Sequence, residues 1–415
     1  MPISRGSVHH SIIEDLWNFV CSRVIPSRLA KPAKLSQKIS VCSKVSQHFG
    51  YENVILFPYA RSAFHSILTC LNLPKESEIL LTPISIGPML EVIKSLGHKP
   101  IFVDIELETF CADIEDLKGK LKKKPACFLL TYLFGYVPDV ETIAKLCRKN
   151  GIPLIEDISH NIGASYNGSP LGTFGTAAIY SASLLKYVDA YNGAFIATQS
   201  QVLAKSLRQK VSKYKNPNPT RIAKIIQTTL IWNFSLTKIP FAFFIYPILW
   251  SIKKLNRAKF EEILGAKIEL EILEDLPDYY FEDISFIQCK MISRQLDKLN
   301  KQLKTRITKV YKVAEIGQKI LGRPITPSIS KSKVTRRHTF WQVVIPVDNL
   351  LKARDALFCR GVETGATNLM NLANVQGIEL ESAKRLKENF IFIPVHENIP
   401  LRKYKEIFIC LKDFT

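Results

Sequence analysis

Between Val54 and Ile196, short apolar runs alternate with amphipathic stretches. Val54–Phe57 predicts a strand that leads into a helix over Ser62–Leu71. Ile79–Leu81 predicts a second strand, ending at Thr82-Pro83. A helix and the turn Gly97-His98-Lys99-Pro100 then precede a strand over Ile101–Asp104. Cys127–Thr131 predicts the next strand, just before Phe134-Gly135. A helix follows from about Asp139 to Lys149, then a strand over Pro153–Asp157. Strands that are apolar throughout and separated by helices belong to a sheet covered on both faces. The fold class expected is α/β: a large, mostly parallel sheet with helices on both faces. Ligands in such sheets sit at the carboxyl ends of strands, where Asp157 and Ser181 both fall.

From Phe286 the pattern turns helical, with Met291, Leu296, Leu299 and Leu303 set among basic residues. A smaller α/β region follows: a strand over Thr339–Ile345, a helix over Leu350–Arg360 and a strand over Phe390–Ile393. The expected organisation is an N-terminal helical segment (1–47), a large domain (48–285), and a linking helix with a small C-terminal domain (286–415).

One segment breaks the rhythm. Residues 201–260 contain no acidic residue. Two apolar blocks, Ile225–Thr237 and Ile239–Ile252, are split by Lys238 and Pro240 and flanked by lysines and arginines. Each block is shorter than the roughly 20 residues a membrane-crossing helix needs. Three readings stay open: a buried helix pair covering the sheet or a partner subunit, a membrane-surface element, or a transmembrane hairpin that length and Lys238 disfavour. The second would set Trp232, Tyr246 and Trp250 at the interface and lysines toward anionic headgroups.

The net charge of +20 points to an anionic partner. Nucleic acid is set aside, because the chain lacks aromatic-plus-basic sheet motifs, helix-turn-helix spacing and zinc ligands. The nine cysteines form no CxxC pair, so neither a structural metal site nor a disulfide framework is expected. A reducing cytoplasm is the simplest home. Ile12–Val20 is broken by Glu14, Asp15 and Asn18 and does not read as a signal peptide.

The candidate chemistry rests on two residues. Asp157 ends an apolar strand, and Lys186 follows about thirty residues later, after Ser181-Ala182-Ser183-Leu184-Leu185. A lysine amine that condenses with an aldehyde, beside a carboxylate that pairs with a pyridinium nitrogen, is what a protein needs to hold pyridoxal phosphate. Glu156, its strand neighbour, should point to the opposite face. Arg61 and Ser62 open a helix directly after a strand, where amide groups and the helix dipole suit a phosphate.

The order of these stretches resembles the DegT/StrS family of pyridoxal-phosphate sugar aminotransferases, which have the aspartate-aminotransferase fold. Four stretches carry the resemblance: Ala60-Arg61-Ser62-Ala63, Glu78 to Pro83, Ile155 to Ala164, and Ser181 to Lys186. It implies that Lys186 bears the cofactor and moves the substrate proton. It implies that Asp157 meets the ring nitrogen, that His160 contacts the ring, and that Ser181 binds the phosphate, with Ser183 as a second donor. The family's aromatic ring-stacking position falls on Gly87, so another residue must cover the ring or leave it open. The family's Glu-Gly-Gly appears as Asn192-Gly193-Ala194, so Asn192 keeps hydrogen bonding without charge. The asparagine that a partner subunit often contributes has no counterpart near Tyr279–Ser285.

The resemblance implies transfer of an amino group, commonly from glutamate, to a nucleotide-linked keto-sugar for surface polysaccharide or related sugar biosynthesis, in a homodimer. Arg336, Arg337 and His338 are candidates for substrate carboxylate or phosphate contacts. Lys186 argues against a dehydratase, since family members with that role replace this lysine. The alternatives are a catalytically silent scaffold or regulator, and an enzyme acting on a lipid-linked substrate. The expected location is the cytoplasm, peripheral at the inner membrane face if 225–252 touches lipid.

Overall fold

The computed structural model describes residues 1–263, 275–326 and 334–415; residues 264–274 and 327–333 of the two expected domain ranges lie outside the description. A seven-stranded sheet forms the centre. Its spatial order is Asn53–Phe57, Gly193–Thr198, Ala177–Ala182, Leu154–Asp157, Cys127–Thr131, Glu78–Leu81 and Lys99–Phe102. The last five are parallel, with Thr131 opposite Asp157 and Asp157 opposite Ile179. The first two are antiparallel to their neighbours.

The strands are buried on both faces, which is why they read as unbroken apolar runs. Leu80, Phe128, Leu130, Leu154 and Ala178 enter one core, while Ile79, Leu81, Leu129, Ile155 and Ile179 enter the core on the opposite face. Helix Ala60–Cys70 begins two residues before the expected Ser62, and Val140–Lys149 begins just after Asp139, which caps it by accepting from the Thr142 amide.

A 36-residue helix, Phe286–Leu321, joins the cores. Ser285 and Gln288 close a capping box at its start, and Gly322 ends it in the left-handed region. Its residues Leu296 and Leu299 pack into the sheet core, and Val310 and Val313 pack into a C-terminal core. There Val343–Pro346 pairs antiparallel with Phe390–Ile393. The N-terminus reaches the same region: the Ile3 amide donates to the Gly361 carbonyl at 2.8 Å.

The expected strand over Thr339–Ile345 is shorter than its pattern suggested. Only Val343–Pro346 is extended in the sheet. Thr339 and Phe340 instead donate their amides to the Gly135 carbonyl. Gly135 has φ of +86°, and a Cβ there would overlap the backbone of Phe340 and Trp341. That contact turns the chain away from the ladder and aims Trp341 elsewhere.

In the basic segment, Pro219–Leu236 and Lys238–Leu255 form a pair bent by 65°. Among the described residues no single helix is long and apolar enough to cross a membrane.

Candidate active site

Asp157 sits at the carboxyl end of its strand, and Lys186 lies on the loop after the neighbouring strand Ala177–Ala182. Both line one cavity, together with Ser181, Ser183, Ser159 and His160. The first residue of helix Ala60–Cys70 closes another side, and Ile86, Met89 and Leu369 add apolar wall. A larger cavity of about 680 Å³ between Glu261–Glu262 and Asp348–Arg354 contains neither Asp157 nor Lys186. The chemistry therefore points to the smaller one.

Strand alternation separates the two acids. Glu156 turns to the other face and accepts from Tyr132 Oη at 2.7 Å and from the amides of Gly172, Phe174 and Gly175. It is a structural tie for the 172–175 loop. Asp157 accepts from the Ser159 amide at 3.0 Å. Burial raises its carboxyl above the ordinary range, while the Ser159 hydrogen bonds and the Lys186 charge oppose that rise. A buried carboxylate in this balance gains from a cation placed beside it.

Burial pushes the Lys186 amine down to about 8, against the pull of the Asp157 carboxylate. The loop is pinned on both sides. Leu185, at φ of +68°, donates its amide to Asp189 Oδ2 at 3.0 Å. Its carbonyl accepts from Trp341 Nε1 at 2.9 Å. The Lys186 amine lies 4.6 Å from the Trp341 ring centre.

The tryptophan ring also stacks on His160, at 3.9 Å and 17°. His160 Nδ1 accepts from the Phe134 amide at 3.2 Å, which assigns its proton to Nε2. Burial, with the Lys186 charge adding to it, holds this imidazole neutral, well below its usual value.

Ser181 Oγ donates to Ser183 Oγ at 3.1 Å, and the Ser181 amide donates to Ser159 Oγ at 3.0 Å. The first amides of helix Ala60–Cys70 have no intrahelical acceptor. Two oxygens are buried without a hydrogen-bond partner among the described residues: Thr131 Oγ1, in the cavity lining, and Ser62 Oγ, on the helix that Ala60 opens but outside that lining. Serine hydroxyls, the unpartnered Thr131 oxygen and the first residue of a helix, with a lysine amine and a carboxylate in the same cavity, fit a phosphorylated pyridine aldehyde.

Not every candidate from the sequence converges here. Arg61 is absent from the cavity lining and sits in an aromatic cluster, 4.7 Å from the Tyr59 ring centre and 4.8 Å from that of Tyr280. Asn192, at φ of +75°, precedes strand Gly193–Thr198 and does not line the cavity. Arg336 and Arg337 form an exposed two-residue strand against Ser165–Tyr166, and His338 Nδ1 accepts from the Val137 amide. Ile86, one residue before Gly87, is among the side chains available to cover a ring. Sequence reading passed over Ser159, Thr131 and Trp341. Ser159 stood inside the quoted motif two positions after Asp157; Trp341 was hidden inside an expected strand.

Known proteins carry related sequences. Residues 41–236 match the model of the DegT/DnrJ/EryC1/StrS aminotransferase family. A "pleiotropic regulatory protein" of Geobacillus stearothermophilus is 31% identical over 176 residues, 42% of this chain and 46% of the relative. A UDP-4-amino-4-deoxy-L-arabinose–oxoglutarate aminotransferase of Shewanella sediminis is 26% identical over 209 residues, 50% of this chain and 52% of the relative. The chain thus spans about half the length of the curated relatives it matches. The fold likeness is broader. A crystal structure of a DegT/DnrJ/EryC1/StrS aminotransferase from Brucella abortus superposes with a TM-score of 0.70 at 16% identity, covering 97% of this chain and 95% of that one. Residues 41–236, just under half of the chain, are thus similar to the DegT/DnrJ/EryC1/StrS aminotransferase family, and the whole chain shares the fold of a solved member.

Proposed function

We propose that the protein is a pyridoxal-phosphate-dependent aminotransferase that moves an amino group, from glutamate, onto a nucleotide-linked keto-sugar. The observation that carries this reading is the meeting of Lys186 and Asp157 in one cavity beside hydroxyl and helix-amide donors. When bound, the cofactor supplies an aldehyde for amine exchange and a ring that withdraws electrons from the substrate carbon.

Lys186 holds the cofactor and moves the proton at the reacting carbon. Its amine, lowered to about 8, is part neutral near neutrality and can serve as base and then as acid. Asp157 keeps the ring nitrogen positive. Ser181 and Ser183, with the amides opening helix Ala60–Cys70, hold the phosphate, and Ser62 backs that helix end without lining the cavity. His160 stays neutral, and Trp341 fixes its plane. Asn192 and Arg61 are left outside the contact set. The glutamate donor draws support from the oxoglutarate aminotransferase among the relatives. The domain ranges 48–285 and 286–415 and a homodimer remain part of this reading, with a cytoplasmic compartment.

The test is to add glutamate to cofactor-loaded protein. The visible absorbance should bleach, and 2-oxoglutarate should appear in equal amount. A second reading is favoured by the relative named a pleiotropic regulatory protein: a regulator that keeps the fold without the reaction. Loaded protein that never bleaches with any amino donor supports it and defeats ours.

A further inference from the structure

The first helix, Ile12–Val24, is built inside out. Its inward face is polar, with Asp15, Asn18 and Ser22 buried. Its outward face carries Ile13, Leu16, Trp17, Val20 and Val24, of which Ile13 is 76% and Trp17 66% exposed. Surface helices in water show the reverse arrangement. The inward face is explained: Asp15 Oδ1 meets His10 Nδ1 at 2.8 Å and the Tyr191 hydroxyl, and Asp15 Oδ2 accepts from Asn233 at 2.8 Å. The outward face has no such explanation.

That helix packs along Pro219–Leu236, which exposes Ile231 and Phe234. The bent continuation exposes Ile239, Phe243, Phe244 and Ile248. Apolar side chains displayed on neighbouring elements in this number mark an interaction surface.

Charge decides what covers it. Residues 201–260 hold 12 lysines and arginines and no aspartate or glutamate. Lys215, Arg221, Lys253 and Arg257 have carboxylate partners. Lys224, Lys238 and Lys254 are exposed and pair with no carboxylate among the described residues. A second copy docked face to face would bring this basic segment against itself, with like charges opposed. An anionic bilayer surface satisfies both features, since lipid tails take the apolar side chains and headgroups take the lysines. The uncharged stretches 225–237 and 239–252 and the 65° bend suit elements lying in the interface, not across it.

We propose that helix Ile12–Val24 and the bent pair Pro219–Leu255 together form a docking surface for an anionic phospholipid membrane. The surface is independent of the reaction catalysed. The test floats the full-length protein on vesicles of phosphatidylcholine alone and of phosphatidylcholine with phosphatidylglycerol. The parent should rise with the anionic vesicles and stay down with the neutral ones, and salt should weaken the binding. Two variants at exposed positions, Trp17→Glu and the double change Phe243→Glu with Phe244→Glu, should each reduce bound protein about tenfold or more. Their melting temperatures should stay at the parent's, which separates lost docking from lost folding. The Trp17→Glu arm is the sharper one, because this residue lies 184 positions before the start of helix Gln201–Val211. Three results would overturn the proposal: no binding by the parent to either vesicle, variants that bind as the parent does, or a parent oligomer that the variants dissociate while no vesicle is bound. The last would make this face a subunit interface.

Discussion

Replacing His10 with glutamine should destabilise the protein and flatten its alkaline pH profile. The imidazole is fully buried between Asp15, 2.8 Å from Nδ1, and Asp189, whose carbonyl lies 2.8 Å and carboxylate 3.4 Å from Nε2. Burial alone would lower its pKa, but hydrogen bonds and charge from the two carboxylates outweigh burial and hold it up at about 10, from 6.5. A folded pKa above the unfolded one adds stability that is complete below 6.5 and disappears as pH rises through about 10. At about 1.4 kcal/mol per pH unit, the ceiling is about 5 kcal/mol. Burial raises the Asp189 carboxyl and offsets part of this, so about 3 kcal/mol is expected at pH 7, in the range for breaking a buried ion pair. The assay is urea unfolding from pH 6 to about 10. The parent should weaken steadily across that window, and His10→Gln should start lower and change little. Because Asp189 also accepts from the Leu185 amide, the variant should also take up pyridoxal phosphate more slowly. Parallel curves for the two proteins, or a loss below about 1 kcal/mol, would refute the ion-pair reasoning.

Three further outcomes follow from the same geometry. Glu156→Ala strands four buried or half-buried donors and should cost about 3 kcal/mol or more in urea unfolding. Gly135→Ala forces a Cβ into the Phe340–Trp341 backbone at positive φ, and should lower both the melting temperature and the rate of cofactor uptake, because Trp341 holds the lysine loop. The rate of cofactor uptake should climb with pH and level off above about 8, since only the neutral Lys186 amine attacks an aldehyde; a climb that continues toward 10 would show an ordinary surface lysine instead.

The central strands were legible because a strand buried on both faces leaves an uninterrupted apolar run, as at Cys127–Thr131 and Leu154–Asp157. Helix starts were legible where a local signal existed, as at Asp139. Thr339–Ile345 misled because its periodicity is that of a strand, while a long-range contact with Gly135 bends its first half. Arg61 shows the same limit at the level of one side chain. Its place at the start of a helix is local, but its direction is set by Tyr280, 219 positions away. The His10–Asp189 pair spans 179 positions and left no trace in any spacing. The polar inner face of Ile12–Val24 was written in the sequence, yet it read as an interruption of an apolar stretch until its partners were seen. Short hydroxyl residues such as Ser159 and Thr131 carry little signal alone; only their convergence on the cavity makes them candidates.

One spectrum bears most directly on the account. Purified protein, stripped of any bound small molecule, is mixed with pyridoxal phosphate and its visible absorbance recorded, alongside Lys186→Ala. The parent should develop a band that survives dialysis and disappears on borohydride treatment only by becoming permanently attached at Lys186, and the variant should show only the free cofactor. The same persistent band in Lys186→Ala would mean that another amine holds the cofactor, and the assignment of this cavity would fall.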